Sequence, residues 1–174
     1  MSLYVESGIE FDFSSAKTLI EHDKTSPTYP VGRVSGSAIW PGVDFLIEEA
    51  SGEWIWLEVK SWNPSRIDPE RRGGSRRSFI CKMKSAKFSL EMREKFLGTT
   101  AFLAWKNEFT PATTRFILLF EPPKPLDSAL LGSQNLKMRG LIPNRRDWVK
   151  PIYASVMTLR EWNLRFRDYP SKVI

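Results

Sequence analysis

The chain is poor in the residues that most readily declare an activity. It has one cysteine, Cys81, and one histidine, His22. A lone cysteine excludes an internal disulfide framework and a multi-cysteine zinc site, and it suits a reducing compartment. Any Ser/His/Asp or Cys/His apparatus would have to rest on His22, beside Glu21 in a segment with helical spacing, which is a poor setting for it. Cys81 reads as a core thiol. No Walker-type or G-x-G-x-x-G loop is present to cradle a nucleotide. No run approaches the ~18 apolar residues that a membrane span requires. The acidic beginning, MSLYVESGIEFDF, lacks the basic start of a signal peptide. These absences lead to the expectation of a cytoplasmic protein without membrane contact.

What is present is a charge pattern. The 174 residues, 41% hydrophobic and 26% charged, suit one domain spanning 1–174 with a sizeable core. The net charge of +6 is unevenly spread: residues 1–65 carry 4 Lys/Arg against 10 Asp/Glu, and residues 66–95 carry 10 against 4. An acidic segment joined to a basic one suggests a site for cations beside a surface for a polyanion.

Ile9, Phe13, Ala16 and Ile20 recur at near-helical spacing and predict a helix within 9–23, with Ser14 as an alternative cap. Strands are expected at 31–39, 44–49 and 53–61, with a turn at Ser51-Gly52 and a polar loop through Pro64, Pro69 and Gly73-Gly74. A long helix over 78–97, stopped by Gly98, precedes β-rich stretches at 99–105 and 115–120. Asp127 is placed to cap a helix that ends near Gly140. A strand at 152–157 and a capping box at Thr158-Leu-Arg-Glu161 complete the chain. The expected order is αβββαββαβα, an α/β fold with a mixed sheet.

Alternate strand residues share a face. Trp54, Trp56, Glu58 and Lys60 therefore lie on one side of their strand, with Ile55, Leu57, Val59 and Ser61 on the other. A hairpin turning near Ser51-Gly52 pairs residues whose numbers sum to about 102 or 103, which sets Asp44 opposite the Glu58–Lys60 end. Val43, Phe45 and Ile47 are expected to point away from Asp44. Two carboxylates and an ammonium then meet at one point, an arrangement that is costly unless paired or bound to metal. Hard oxygen ligands of this kind suit Mg²⁺ or Mn²⁺. Removing either carboxylate is expected to relieve repulsion and spare the fold.

Pro41, Asp44 and Glu58-Val59-Lys60, each within apolar strands, resemble the PD-(D/E)XK nuclease superfamily, although Gly42-Val43 separates Pro41 from Asp44. The tripeptide E-x-K is weak alone, since composition supplies roughly one per chain; its strand context carries the likeness. The resemblance covers residues 9–105 and implies a restriction-endonuclease-like αβββαβ core, with 106–174 as a C-terminal α/β extension. It implies that Asp44 and Glu58 ligate Mg²⁺ or Mn²⁺ with help from the Val59 carbonyl, and that Lys60 acts at the attacking water. It further implies a first-helix acid, for which Glu21 is preferred and Glu10 is the alternative. A polar residue on the helix after E-x-K is also implied, here Lys84 or Lys87.

Arg71, Arg72, Arg76 and Arg77, placed in a Gly-containing loop, and Lys84 and Lys87 on the following helix form a basic cluster suited to phosphates. Trp62 reads as a packing residue, with base stacking as the alternative. The expected function is hydrolysis of phosphodiester bonds in nucleic acid, DNA first, and the alternative is a non-catalytic nucleic-acid-binding or assembly module of the same fold. Residues 106–174 are left to target choice or to forming a homodimer.

Overall fold

The chain begins with a hairpin in which β1 (Leu3–Glu6) pairs antiparallel with β2 (Ile9–Asp12) across Ser7-Gly8. Ser7 and Gly8 have φ of 50° and 80°, the left-handed pair that two-residue hairpin turns favour. The helix expected within 9–23 is thus replaced by strands, since β3 (Thr18–Glu21) follows. Ile9, Phe11 and Phe13 are buried while Glu10 and Asp12 between them are partly exposed. This period of two outweighs the helical spacing of Ile9, Phe13, Ala16 and Ile20. Ser14 caps no helix; its N–H donates to Asp12 Oδ1 at 2.9 Å and closes the end of β2.

The computed structural model describes residues 3–22, 41–105, 113–124, 128–141 and 152–174. The strand expected at 31–39 and the Asp127 cap lie outside the described residues. β3, β4 (Phe45–Glu48) and β5 (Trp54–Ser61) form an antiparallel meander. The β4–β5 register pairs Phe45 with Leu57 and Ile47 with Ile55, each pair summing to 102 as the turn position predicts. β6 (Thr114–Glu121) and β7 (Ile152–Met157) extend this sheet parallel to β5, in the order β3-β4-β5-β6-β7. β6 is buried on both faces, which explains its unbroken Phe116–Phe120 apolar run.

The β5–β6 crossover is helical, but not as expected. Two helices, α1 (Arg72–Lys84) and α2 (Ala86–Trp105), meet at Ser85, whose hydroxyl accepts the Phe88 N–H at 3.1 Å and starts α2. Gly73 and Gly74 lie inside α1, so the polar loop is shorter than expected. Residues 99–105 are helical, because Phe102 and Leu103 bury against the sheet. Gly98 does not stop the helix. It lets the Pro41 backbone approach, since a Cβ there would lie 2.0 Å from the Pro41 carbonyl oxygen.

α3 (Ser128–Leu141) links β6 to β7. α4 (Leu159–Arg165) starts with the expected Thr158/Glu161 capping box, and β8 (Ser171–Val173) returns to pair with β2. α1–α3 cover one face of the five-stranded sheet through Met83, Phe88, Met92, Phe96 and Met138. The three-stranded sheet β1-β2-β8 and α4 cover the other through Ile9, Phe11, Trp162 and Phe166. The result is a mixed α/β fold with four helices among the described residues. The strand that closes the crossover is β6 rather than 99–105, so the central sheet draws on residues assigned to the C-terminal extension. No helix among the described residues is long and apolar enough to cross a membrane.

Two glycine substitutions separate packing from propensity. Gly74→Ala, where a Cβ meets nothing within 4 Å, should stabilise by about 0.5–1 kcal/mol. Gly98→Ala should destabilise by about 1–3 kcal/mol despite the same helical gain. Urea unfolding of both variants measures the contrast.

Candidate functional site

The β4–β5 ladder ends at Phe45↔Leu57, so the next N–H of β5 on that side, Val59, has no backbone partner there. The Asp44 carboxylate replaces it, with Oδ2 accepting the Val59 N–H at 2.7 Å. The segment leading to Asp44 is held from three sides. His22 N–H donates to the Asp44 carbonyl at 3.2 Å, and Val43 N–H donates to Thr99 Oγ1 at 3.1 Å. Gly42 lies so close to His22 that a Cβ would sit 1.9 Å from the imidazole Nδ1. Phe45 and Ile47 point to the α4 side as expected, but Val43 belongs to the α2-side cluster, because it precedes the ladder and escapes its alternation.

Strand alternation places Trp56, Glu58 and Lys60 beneath α2, with Ile55, Leu57 and Val59 on the opposite face. Glu58 is fully buried. Its Oε1 is 2.7 Å from Lys60 Nζ and its Oε2 is 2.8 Å from Lys95 Nζ. Lys95 also lies 3.7 Å from Asp44 Oδ1. On the other side, Glu91 Oε1 is 3.2 Å from Lys60, and Glu91 Oε2 is 3.4 Å from Lys82. The six groups form a chain in which amines and carboxyls alternate: Lys82, Glu91, Lys60, Glu58, Lys95, Asp44.

Burial, then the nearby Glu58 charge, pushes the Asp44 carboxyl from 3.8 up to about 8, with Lys95 and the Val59 N–H pulling back and Glu6 adding to the rise. Burial also raises Glu58, against the pull of Lys95 and Lys60; contacts of 2.7 and 2.8 Å to two ammoniums are those of its ionised form. Burial alone would lower Lys60, but Glu58, Glu91 and Asp44 outweigh it and hold the ammonium above its ordinary value. Burial would likewise raise Glu91, yet Lys60 and Lys82 keep it low.

The structure brings Asp44, Glu58, Lys60 and the Val59 backbone together. The other expected residues are elsewhere. Glu10 pairs with Lys172 at 2.8 Å on the small sheet. Glu21 sits at the end of β3 opposite Phe45, and alternation puts it on that residue's face, away from α2. No first helix carries either acid. Besides Glu58, an acid whose charge reaches Asp44 is Glu6, beside the hairpin turn, where Ser7 Oγ is 2.9 Å from Glu6 Oε1 and 3.4 Å from the Val59 carbonyl. Arg72, Arg76 and Arg77 are on α1, and Arg71 immediately precedes it, so they form a helical rather than a loop surface. Lys84 and Lys87 are exposed; the helix residues that meet the site are instead Glu91 and Lys95. They are i,i+4 polar residues beside the buried Phe88, Met92 and Phe96 stripe, a pattern that sets them near the buried face without saying which strand they meet. Cys81 is exposed, not a core thiol.

No family model, curated protein or solved structure matches the chain. The fit to a divalent cation therefore rests on the donor atoms. Lys95 Nζ lies within 4 Å of both Asp44 and Glu58 oxygens, so the two carboxylates reach a common positive charge. Mg²⁺ is commonly held by one or two carboxylates with water completing its shell. The donor set fits that pattern.

Two predictions follow from this geometry. Between pH ~4 and ~8 the folded state retains a proton on Asp44 that the unfolded chain has released. Its contribution to stability is present below pH ~4 and is lost as pH rises toward about 8, by at most about 1.4 kcal/mol per unit. Denaturant titrations across this window should show that slope, and Asp44→Asn should flatten it. Glu58→Gln should cost about 3–5 kcal/mol, because Lys60 and Lys95 lose a shared buried partner. Relief of repulsion is thus not expected to protect the fold at Glu58, where the sequence pattern alone suggests that it would.

Proposed function

We propose that this protein is a divalent-metal-dependent nuclease that hydrolyses phosphodiester bonds of nucleic acid, with DNA as the expected substrate. The observation that carries the reading is the convergence of Asp44, Glu58, Lys60 and the Val59 backbone where β5 passes the end of β4. The strands β3–β4–β5, the α1–α2 crossover and β6 supply the βββαβ part of the order implied by the PD-(D/E)XK resemblance. The β1–β2 hairpin stands where that order has a helix.

The Asp44 and Glu58 carboxylates, with the Val59 carbonyl, would hold Mg²⁺ or Mn²⁺. Such an ion, when bound, polarises a phosphoryl oxygen and makes a bound water more acidic. Lys60 stays protonated at neutral pH, so it serves as a donor that stabilises charge developing on the phosphate rather than as a base. Asp44 must release its proton to act as a ligand, which favours metal binding at higher pH. Lys95 balances the two carboxylates and competes with the cation for them. The arginines at the start of α1 offer guanidiniums to the phosphate backbone.

One observation favours a second reading, a binding module without turnover. Lys60 and Lys95 already neutralise Glu58 at hydrogen-bonding distance. Cleavage of labelled duplex DNA, single-stranded DNA and RNA, with and without Mg²⁺ or Mn²⁺, separates the two. The parent should cut in a metal-dependent way, Asp44→Asn should not, and Lys60→Met should be slower by about 10²–10³-fold. Lys95→Met should strengthen Mn²⁺ binding, read as a larger rise in melting temperature per added Mn²⁺. A folded parent inert on all three substrates would defeat the nuclease reading in favour of the binding module.

A further inference from the structure

Beside the Lys60 end of β5 lies a cleft of about 590 Å³ lined by Ser7, Ser61, Trp62, Ser75, Phe79 and Lys82, among others. Its size falls within the ~300–1,000 Å³ of small-molecule sites. The cleft meets the candidate centre at two points. Ser7 Oγ is 3.4 Å from the Val59 carbonyl, and Lys82 is joined through Glu91 to Lys60.

Two aromatic rings in the lining are held in set orientations. The Trp62 indole N–H donates to Ser75 Oγ at 3.3 Å, and the Trp62 backbone N–H continues the β5–β6 pairing to the Glu121 carbonyl at 3.0 Å. Phe79 is backed by Phe120, with ring centroids 5.8 Å apart and planes within 4° of parallel. Both rings remain partly exposed. Lys82 supplies a cation at the side facing the centre, with its side chain 57% exposed. Oriented flat rings and an accessible ammonium beside a phosphodiester-handling centre describe a receptor for a nucleotide.

We infer that this cleft holds one unpaired nucleotide of the strand being cut, its base against Trp62 and Phe79 and its phosphate at Lys82. The inference rests on the nuclease reading for the adjoining centre. The base is unpaired because stacking on a protein ring requires a free π-face, which the stacked bases of a duplex cover. The substrate class is therefore a single strand, or a duplex with an overhang or displaced nucleotide, rather than a blunt, fully paired duplex.

The test is fluorescence anisotropy at one salt concentration with a single-stranded oligonucleotide, the same sequence as a blunt duplex, and the duplex with an overhang. Cleavage of each is measured in parallel. The parent should bind the single strand and the overhang at least tenfold more tightly than the blunt duplex. Trp62→Ala should weaken binding of the unpaired forms by about 5- to 150-fold, as loss of one base–aromatic stack implies, with blunt-duplex binding unchanged. Lys82→Gln should weaken the unpaired forms and lower the salt slope by about 0.7 for the single strand. Circular dichroism and melting curves show that the variants are folded. Equal or tighter binding of the blunt duplex by the parent, or undiminished single-strand binding in folded Trp62→Ala and Lys82→Gln, overturns the inference. Cleavage without dependence on Trp62 leaves the nuclease reading standing and removes the cleft. Trp62-dependent binding of unpaired strands without cleavage does the reverse.

Discussion

A carboxylate with no exposure to solvent sits between two ammoniums, and much of the molecule is arranged around that fact. Glu58 could not remain ionised beneath α2 without Lys60 and Lys95, since an isolated buried charge costs several kcal/mol even after relaxation. Lys60 comes from two residues along the same strand, and Lys95 from a helix 37 positions further on. The second contact exists only because α2 is docked by Phe88, Met92, Phe96 and Phe102, and that docking in turn needs Gly98 beneath the Pro41 backbone. The apolar packing of α2 and the ionic order of the site are therefore one construction. Loosening the helix would strand the charge.

The two ends of the chain close the same region from the other side. Ile174 N–H donates to the Gly8 carbonyl at 3.0 Å, and Asn63 Nδ2 donates to the Ile174 carbonyl at 2.9 Å. These bonds fasten β8, the hairpin turn and the loop after β5 to one another. Ser7, carried at that turn with positive φ, is thereby held near Val59 and the cleft. The opposite end of β5 has its own clasp, where Arg115 bridges Glu49 and Glu53. A strand anchored at both ends keeps Glu58 and Lys60 in place for whatever binds beside them.

How much of this was legible in advance depended on the range of each interaction. The β4–β5 hairpin could be read to the residue because its register follows from one turn and a period of two, both local properties. The capping box at Thr158 and Glu161 was legible for the same reason. The N-terminal segment is ambiguous in sequence because Ile9 to Ile20 satisfies two periods at once, and the choice between them is made by Phe45, Trp162 and Tyr169, which accept Phe11 and Phe13 as partners in the core. Gly98 carries no local sign of its role, which is to admit a backbone from more than fifty residues away.

The amino-acid sequence by itself determined the mixed α/β class, the meander through β4 and β5, and the pairing of Asp44 with the Glu58–Lys60 end, since short-range alternation and turn chemistry suffice for each. Only the tertiary structure decided which helix residues complete the charge chain, that Glu6 rather than Glu21 or Glu10 is an additional acid whose charge reaches Asp44, and that the Ser61–Trp62 end of β5 opens on a cleft shared with α1. Those outcomes depend on how helices dock and how the chain ends meet, which is settled by the summed burial of many distant side chains and leaves no mark at any one position.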